Sequence, residues 1–357
     1  MRTIAYFKGS LLFAAAGLAL GALVGWRAHG TAAGVASTLF VIAVLGVLET
    51  SISFDNAVVN ATVLRDMTPI WRRRFLTWGI AIAVFGMRLV FPLAVVSAVA
   101  GIGPVEALRL ALLEPARYAH VLGSAHAMLG AFGGAFLGMV CLKFFFDAEK
   151  DVHWIGAVER RLARLGRIEA VELALMMIVL WLFSRLVAPH EAHGFLAAGV
   201  LGLVTFIGVD GIGAALEVGP ERTRDVHRAS AASFLYLEVL DASFSFDGVI
   251  GAFALTSDLF VIAIGLGIGA MFVRSLTILL VDRGTLESFR YLEHGAFWAI
   301  GALAVLMLVG TVLHVPEAVT GLVGAVLIAL SLWSSARHRA RAAPASREAA
   351  VGPAPAE

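Results

Sequence analysis

The chain has little of what a soluble domain needs on its surface and almost nothing with which to cross-link itself. Of its 357 residues 15% are charged, against about 25% in an ordinary soluble domain, so a water-facing shell cannot be built from it. A single cysteine, Cys141, excludes an internal disulfide framework and any cysteine-rich metal centre. Net charge is missing too: 27 Lys+Arg stand against 26 Asp+Glu, a formal +1, so no strongly basic face points to nucleic acid. What is abundant is apolar, with 60% of residues hydrophobic before the 37 glycines are counted. That is the composition of a membrane protein.

A helix needs about 20 apolar residues to cross the hydrocarbon core, and lipid offers no partners to backbone groups outside a helix or closed barrel. Ten stretches qualify, at 9–26, 34–63, 75–100, 119–146, 170–187, 194–218, 231–256, 258–282, 294–313 and 316–335. They predict an all-α, polytopic fold. Trp26 and Arg27 follow the first run without a small-residue cleavage site, so residues 1–30 are expected to stay as a transmembrane helix or signal anchor. With ten spans, 20 of the 27 basic residues fall on one side and four on the other. The excess of Lys and Arg marks the cytoplasmic side, which predicts a multi-pass protein of the cell (plasma or inner) membrane with both termini cytoplasmic. Residues 147–169 carry Trp154, Ile155, Val158, Leu162 and Leu165 between basic residues and read as an amphipathic linker on the cytoplasmic surface. The tail 336–357, rich in Ala, Pro, Arg and Glu, reads as disordered.

Residues 48–59, LETSISFDNAVV, return at 240–251 as LDASFSFDGVIG, with five of twelve positions identical. Downstream, Gly79, Ile82 and Arg88 align with Gly265, Ile268 and Arg274, and His126, Gly133 and Met139 with His294, Gly301 and Met307. Each copy would be three helices, repeat 1 over 34–146 and repeat 2 over 231–313, with two connecting helices at 170–218 and a last span at 316–335. The motif helices are five spans apart and therefore cross in opposite directions, an inverted repeat that in many transporters places the substrate between the copies at the midplane.

Glu49, Asp55, Glu238, Asp241 and Asp247 lie within apolar runs. A charge at the bilayer centre costs roughly 2.5–3.5 kcal/mol by insertion scales, so a proton, a buried arginine or a cation must compensate. Pairing with Arg88 and Arg274 accounts for part of the set. Asp, Glu, Asn and Ser supply hard oxygen ligands suited to Mn²⁺, Mg²⁺ or Ca²⁺. On a straight helix Glu49, Ser53 and Asn56 share one face, as do Asp241, Ser245 and Gly248, while Asp55 and Asp247 lie well round from them. For all the carboxylates to reach one ion, the helix must unwind locally, for which Gly248 and the Ser/Thr-rich Thr50–Ser53 segment are the places, or the aspartates must face a third helix. Asp210 and Glu217 in VDGIGAALE are candidates for a proton relay, Glu169 and Glu172 for a helix start, and Lys143 for snorkelling. His126, His294, Phe54 and Phe246 read as packing.

At these residues the chain resembles the TerC family of integral membrane proteins, within the LysE-type transporter superfamily. The matching residues are Glu49, Ser53, Asp55 and Asn56 in the first repeat, Glu238, Asp241, Phe244 and Asp247 in the second, and Arg88 and Arg274 after them. Gly248 departs from it, standing where the family usually has Ser. The resemblance implies tellurium resistance and export of manganese or other divalent metals. The expected site is Glu49, Asp55, Asn56, Asp241 and Asp247 as metal ligands, with Ser53, Ser245, Glu238 and Asp210 as polar or proton-carrying helpers and Arg88 and Arg274 balancing charge. The expected protein is a secondary transporter, not an enzyme, with no permanently bound cofactor, the divalent cation being its substrate. Its expected partners are the lipid bilayer and the metal ion, and no nucleic acid. The rival expectation is a membrane scaffold that recruits soluble stress-response proteins through its basic loops and tail without transport.

Overall fold

The structure, a computed structural model, describes residues 3–79, 81–168, 170–217, 222–284 and 289–350; the side chains of 212–217, 222–229, 246–247, 250, 254, 317–318 and 342–350 lie outside the description. The described chain is helical throughout, with no strand. The helices are α1 (Ile4–His29), α2 (Ala32–Ile52), α3 (Phe54–Asp66), α4 (Pro69–Arg74), two π-helical segments (Phe75–Gly79 and Ile82–Val90), α5 (Phe91–Ala100), α6 (Pro104–Leu113), α7 (Pro115–Ser124), α8 (His126–Phe146), α9 (Gly156–Leu165), α10 (Val171–Ser184), α11 (Ala192–Glu217), α12 (Arg222–Leu255), α13 (Leu259–Asp282), α14 (Leu292–Gly310) and α15 (Glu317–Ala350).

Among the described residues, eight helical stretches are long and apolar enough to cross a membrane, fewer than the ten expected. Val171–Ser184 is apolar but short, and the stretch 231–256 falls within α12. The span expected at 119–146 starts at His126, because α7 ends separately at Ser124. Of the tail expected to be disordered over 336–357, residues 336–350 instead continue α15, their Ala and Arg being strong helix formers next to an existing helix; 351–357 lie outside the described residues. Large side chains such as Leu12, Phe40 and Trp78 are turned outward, a surface that suits lipid. The chain is a multi-pass membrane protein.

Local chemistry explains the joints. Gly30, at φ 63, closes α1 in the left-handed region that glycine reaches without strain. Thr31 caps α2 by accepting from Gly34 N at 3.1 Å, and Asp258 caps α13 by accepting from Phe260 N at 2.8 Å. The expected break between α2 and α3 is present at Ser53. Thr50 and Ser51 donate to the carbonyls of Gly46 and Val47 four residues back, a side-chain competition that bends helices. In the second copy α12 runs unbroken through Gly248, so the break expected there is absent.

Helices α1, α2 and α13 pack as one group, with α13 also against α3 and the second π segment, while α8 packs on α11 and α14, and α14 on α15. The linker expected at 147–169 forms α9 and docks on this second group through Glu159. Its carboxylate accepts from Trp154 N at 2.9 Å and Ile155 N at 3.1 Å within the linker. Trp298 Nε1 on α14 donates to it at 2.9 Å, and His294 Nδ1 lies 2.9 Å away. Burial opposes the charge, yet these hydrogen bonds outweigh it and pull the Glu159 carboxyl from 4.5 to about 2. A folded-state value below the unfolded one means that stability is present above pH 4.5 and lost as pH falls through about 2. Amide hydrogen exchange in Gly156–Leu165, followed at each pH across that window and corrected for its intrinsic pH dependence, should therefore increase as pH falls. Glu159→Gln should show the faster exchange already at neutral pH.

Candidate functional site

Between α2, α3, α12, α13 and the π segments, a cavity of about 40 Å³ is lined by Glu49, Ser53, Asn56 and Asn60 from the α2–α3 joint, Arg88 from the second π segment, Glu238 and Asp241 from α12, and Arg274 from α13. That volume holds a few waters. Phe75, Leu76 and Thr277 line the end nearest the Arg72–Arg74 cluster.

The site is asymmetric in its pairing. Arg88 Nη2 donates to Glu49 Oε1, and Arg88 Nη1 to the carbonyl of Ala83 on its own helix. Ser53 Oγ donates to the same Glu49 oxygen at 3.2 Å. Asn56 Nδ2 donates to Asp241 Oδ1 at 2.6 Å. Five buried oxygens have no partner: Asn56 Oδ1, Asn60 Oδ1, both carboxylate oxygens of Glu238 and Asp241 Oδ2. Arg88 Nε and Arg274 Nε are likewise buried and unbonded, and no carboxylate among the described residues pairs with Arg274. Nearly all buried polar atoms in proteins are bonded, so this many orphans in one small space marks a place for an absent partner. No group of three or more His, Cys, Asp or Glu side chains able to hold a metal occurs among the described residues; the oxygen set here is mixed, two acids with two amides.

Glycine permits two close approaches. A Cβ on Gly79 would lie 2.6 Å from Glu238 Oε1, and one on Gly248 would lie 2.9 Å from Glu49 Oε2. The second approach accounts for Gly248. Asn56 meets the shorter Asp241, while its counterpart Gly248 meets the longer Glu49, so the larger acid takes the space of the missing side chain.

Of the residues singled out from the sequence, Glu49, Ser53, Asn56, Glu238, Asp241, Arg88 and Arg274 are brought together. Asp55 is not. It is buried on the far side of α3, accepting from Asn56 N at 2.9 Å, and a Cβ on Gly324 of α15 would lie 2.8 Å from its Oδ2. The joint at Ser53 leaves α3 wound as an ordinary helix, so the angular offset of Asp55 from Asn56 persists. Ser245 is buried outside the cavity lining. Asp210 pairs instead with Lys143 at a half-exposed position, and Asp247 lies outside the described side chains. Asn60 was not anticipated, although its spacing of four from Asn56 puts it on the same face. His126 lies 3.2 Å from the Gly310 carbonyl and His294 is held by Glu159, both as packing groups.

Residues 54–342 match the family described as "Protein of unknown function (DUF475)". No curated protein and no solved structure matches the chain.

Proposed function

The chain belongs to the DUF475 family, whose description assigns no activity, and from the cavity itself we propose that it is a secondary transporter of divalent metal cations, Mn²⁺ foremost, moving them out of the cytoplasm. The observation that carries this reading is the set of five unpartnered oxygens from Asn56, Asn60, Glu238 and Asp241. These are hard donors of the kind Mn²⁺ and Mg²⁺ take. The Glu49–Arg88 pair is self-neutralising, so Glu238 and Asp241 against Arg274 leave the cavity lining one net negative charge for a cation.

The inverted repeat is supported by packing that exchanges between copies. Position 56 meets Asp241 and its counterpart Gly248 meets Glu49; Gly79 meets Glu238, and its counterpart Gly265 packs on Leu45 and near Gly46, which aligns with Glu238. In this reading the substrate lies on the pseudo-twofold axis, between the copies. An ion or proton gradient drives export.

Mn²⁺ titration calorimetry on purified protein tests the site. The double variant Glu238→Gln/Asp241→Asn should weaken binding by at least the roughly 10–100-fold that loss of even an outer-shell partner costs. Asp55→Asn should bind like the wild type. Equal binding by wild type and double variant would overturn the site. Metal resistance that survives the double variant but is lost on deleting residues 336–357 would favour the scaffold reading.

A further inference from the structure

The two halves of the cavity, equivalent by alignment, are not in the same state. In the first, Arg88 is closed on its own repeat's acid, Glu49, with both side chains buried. In the second, Arg274 pairs with no carboxylate among the described residues and Asp241 Oδ2 is buried and unbonded, although both residues line one cavity; the Nε of each arginine is unbonded, so the halves differ in the ion pair alone. Sequence equivalence with unequal pairing is what a two-fold device shows when caught on one side of its cycle: each conformation of an inverted repeat is the other with the copies exchanged.

Resting on the transporter reading above, we propose that Arg88 and Arg274 are alternating latches. The present conformation has the Glu49–Arg88 latch shut and the Asp241–Arg274 latch open, and the opposite conformation exchanges them. Exchange replaces one buried ion pair by another, so the cost of desolvating a broken pair does not accumulate in either end state, and the two conformations stay close in energy. The same proposal places access at one end of the cavity. Phe75, Leu76 and Thr277 line the end beside the basic Arg72–Arg74 cluster, so the open second-repeat latch goes with access from the basic-loop side, and closing Arg274 on Asp241 draws α13 and α12 together across it.

The test is the rate at which a small maleimide labels Thr277→Cys in a Cys141→Ala background of the full-length protein in detergent. Arg274→Ala removes only an unpaired cation; it cannot close the second latch, and should raise the labelling rate by about 5-fold or more. Arg274→Lys, which keeps the cation, should restore the starting rate. Glu49→Gln weakens the closed first latch without changing its shape and should lower the rate by a similar factor. Rates that do not move, or that move in the same direction in Arg274→Ala and Glu49→Gln, would overturn the exchange. Opposed shifts in a protein that fails to bind Mn²⁺ would overturn the cation assignment and leave the exchange standing; bound Mn²⁺ with unmoved rates would do the reverse.

Discussion

Arg88→Leu should destabilise the protein by about 3–5 kcal/mol, the usual consequence of removing one partner from a buried ion pair. Arg88 and Glu49 are each 3% exposed and joined directly. Without the guanidinium, the Glu49 carboxylate keeps only the Ser53 hydroxyl at 3.2 Å, between the apolar walls of α2 and α13. The loss should be largely reversed by adding Glu49→Leu, because replacing both members of a buried pair with apolar groups is often neutral or stabilising. Thermal unfolding of the purified single and double variants measures this directly. A single variant as stable as wild type would show that Glu49 has a further partner. The double variant, restored in stability, should still lack transport, which separates the pair's part in folding from its part in the cycle.

The second large effect is at Gly166, the C-cap of α9. A Cβ there would fall 1.6 Å from the carbonyl oxygen of Phe146, at the end of α8. Its φ of −62 is ordinary, so the glycine is required by this approach and not by its backbone conformation. The obstructing atom is main chain and cannot rotate away, so Gly166→Ala must lift α9 off α8. Overpacking costs of about 1–3 kcal/mol, occasionally more, set the lower range of the expected effect. The lifted linker should be cut by trypsin at Arg160 and Arg164 many times faster than in the wild type, and Glu159 should lose Trp298 and His294 at the same time. Unchanged proteolysis would mean that the α8–α9 corner has slack to absorb a methyl group.

Much of the architecture could be read from apolar runs, because bilayer thickness sets their length. Stretches expected at 258–282 and 294–313 emerge as Leu259–Asp282 and Leu292–Gly310. Hydropathy does not report how a helix is wound, and the π winding of Phe75–Gly79 and Ile82–Val90 left no mark on composition. The motif repeat located both acidic helices, but side-chain direction depended on whether the chain unwinds. The bend at Ser53 follows from hydroxyls bonding back to carbonyls; it is too slight to swing Asp55 beside Asn56, and Asp55 faces α15 instead. Asn60 escaped notice as a neutral residue in a search led by charge. Glu159 escaped because one acid beside Arg160, Arg161, Arg164 and Arg167 reads as surface decoration until the α14 indole and imidazole are seen above it.

The α9 strap has a mechanical consequence. It is fastened at one end to the α8 terminus through Gly166 and Phe146, and at the other to α14 through Glu159, Trp298 and His294. In the aligned copies α8 and α14 are the third helices, so the strap bolts them into a single frame. Any rocking of the molecule then pivots about that frame, and the displacement is borne by the remaining helices around the cavity. The π-wound run that carries Arg88 stands outside that frame, among the helices around the cavity.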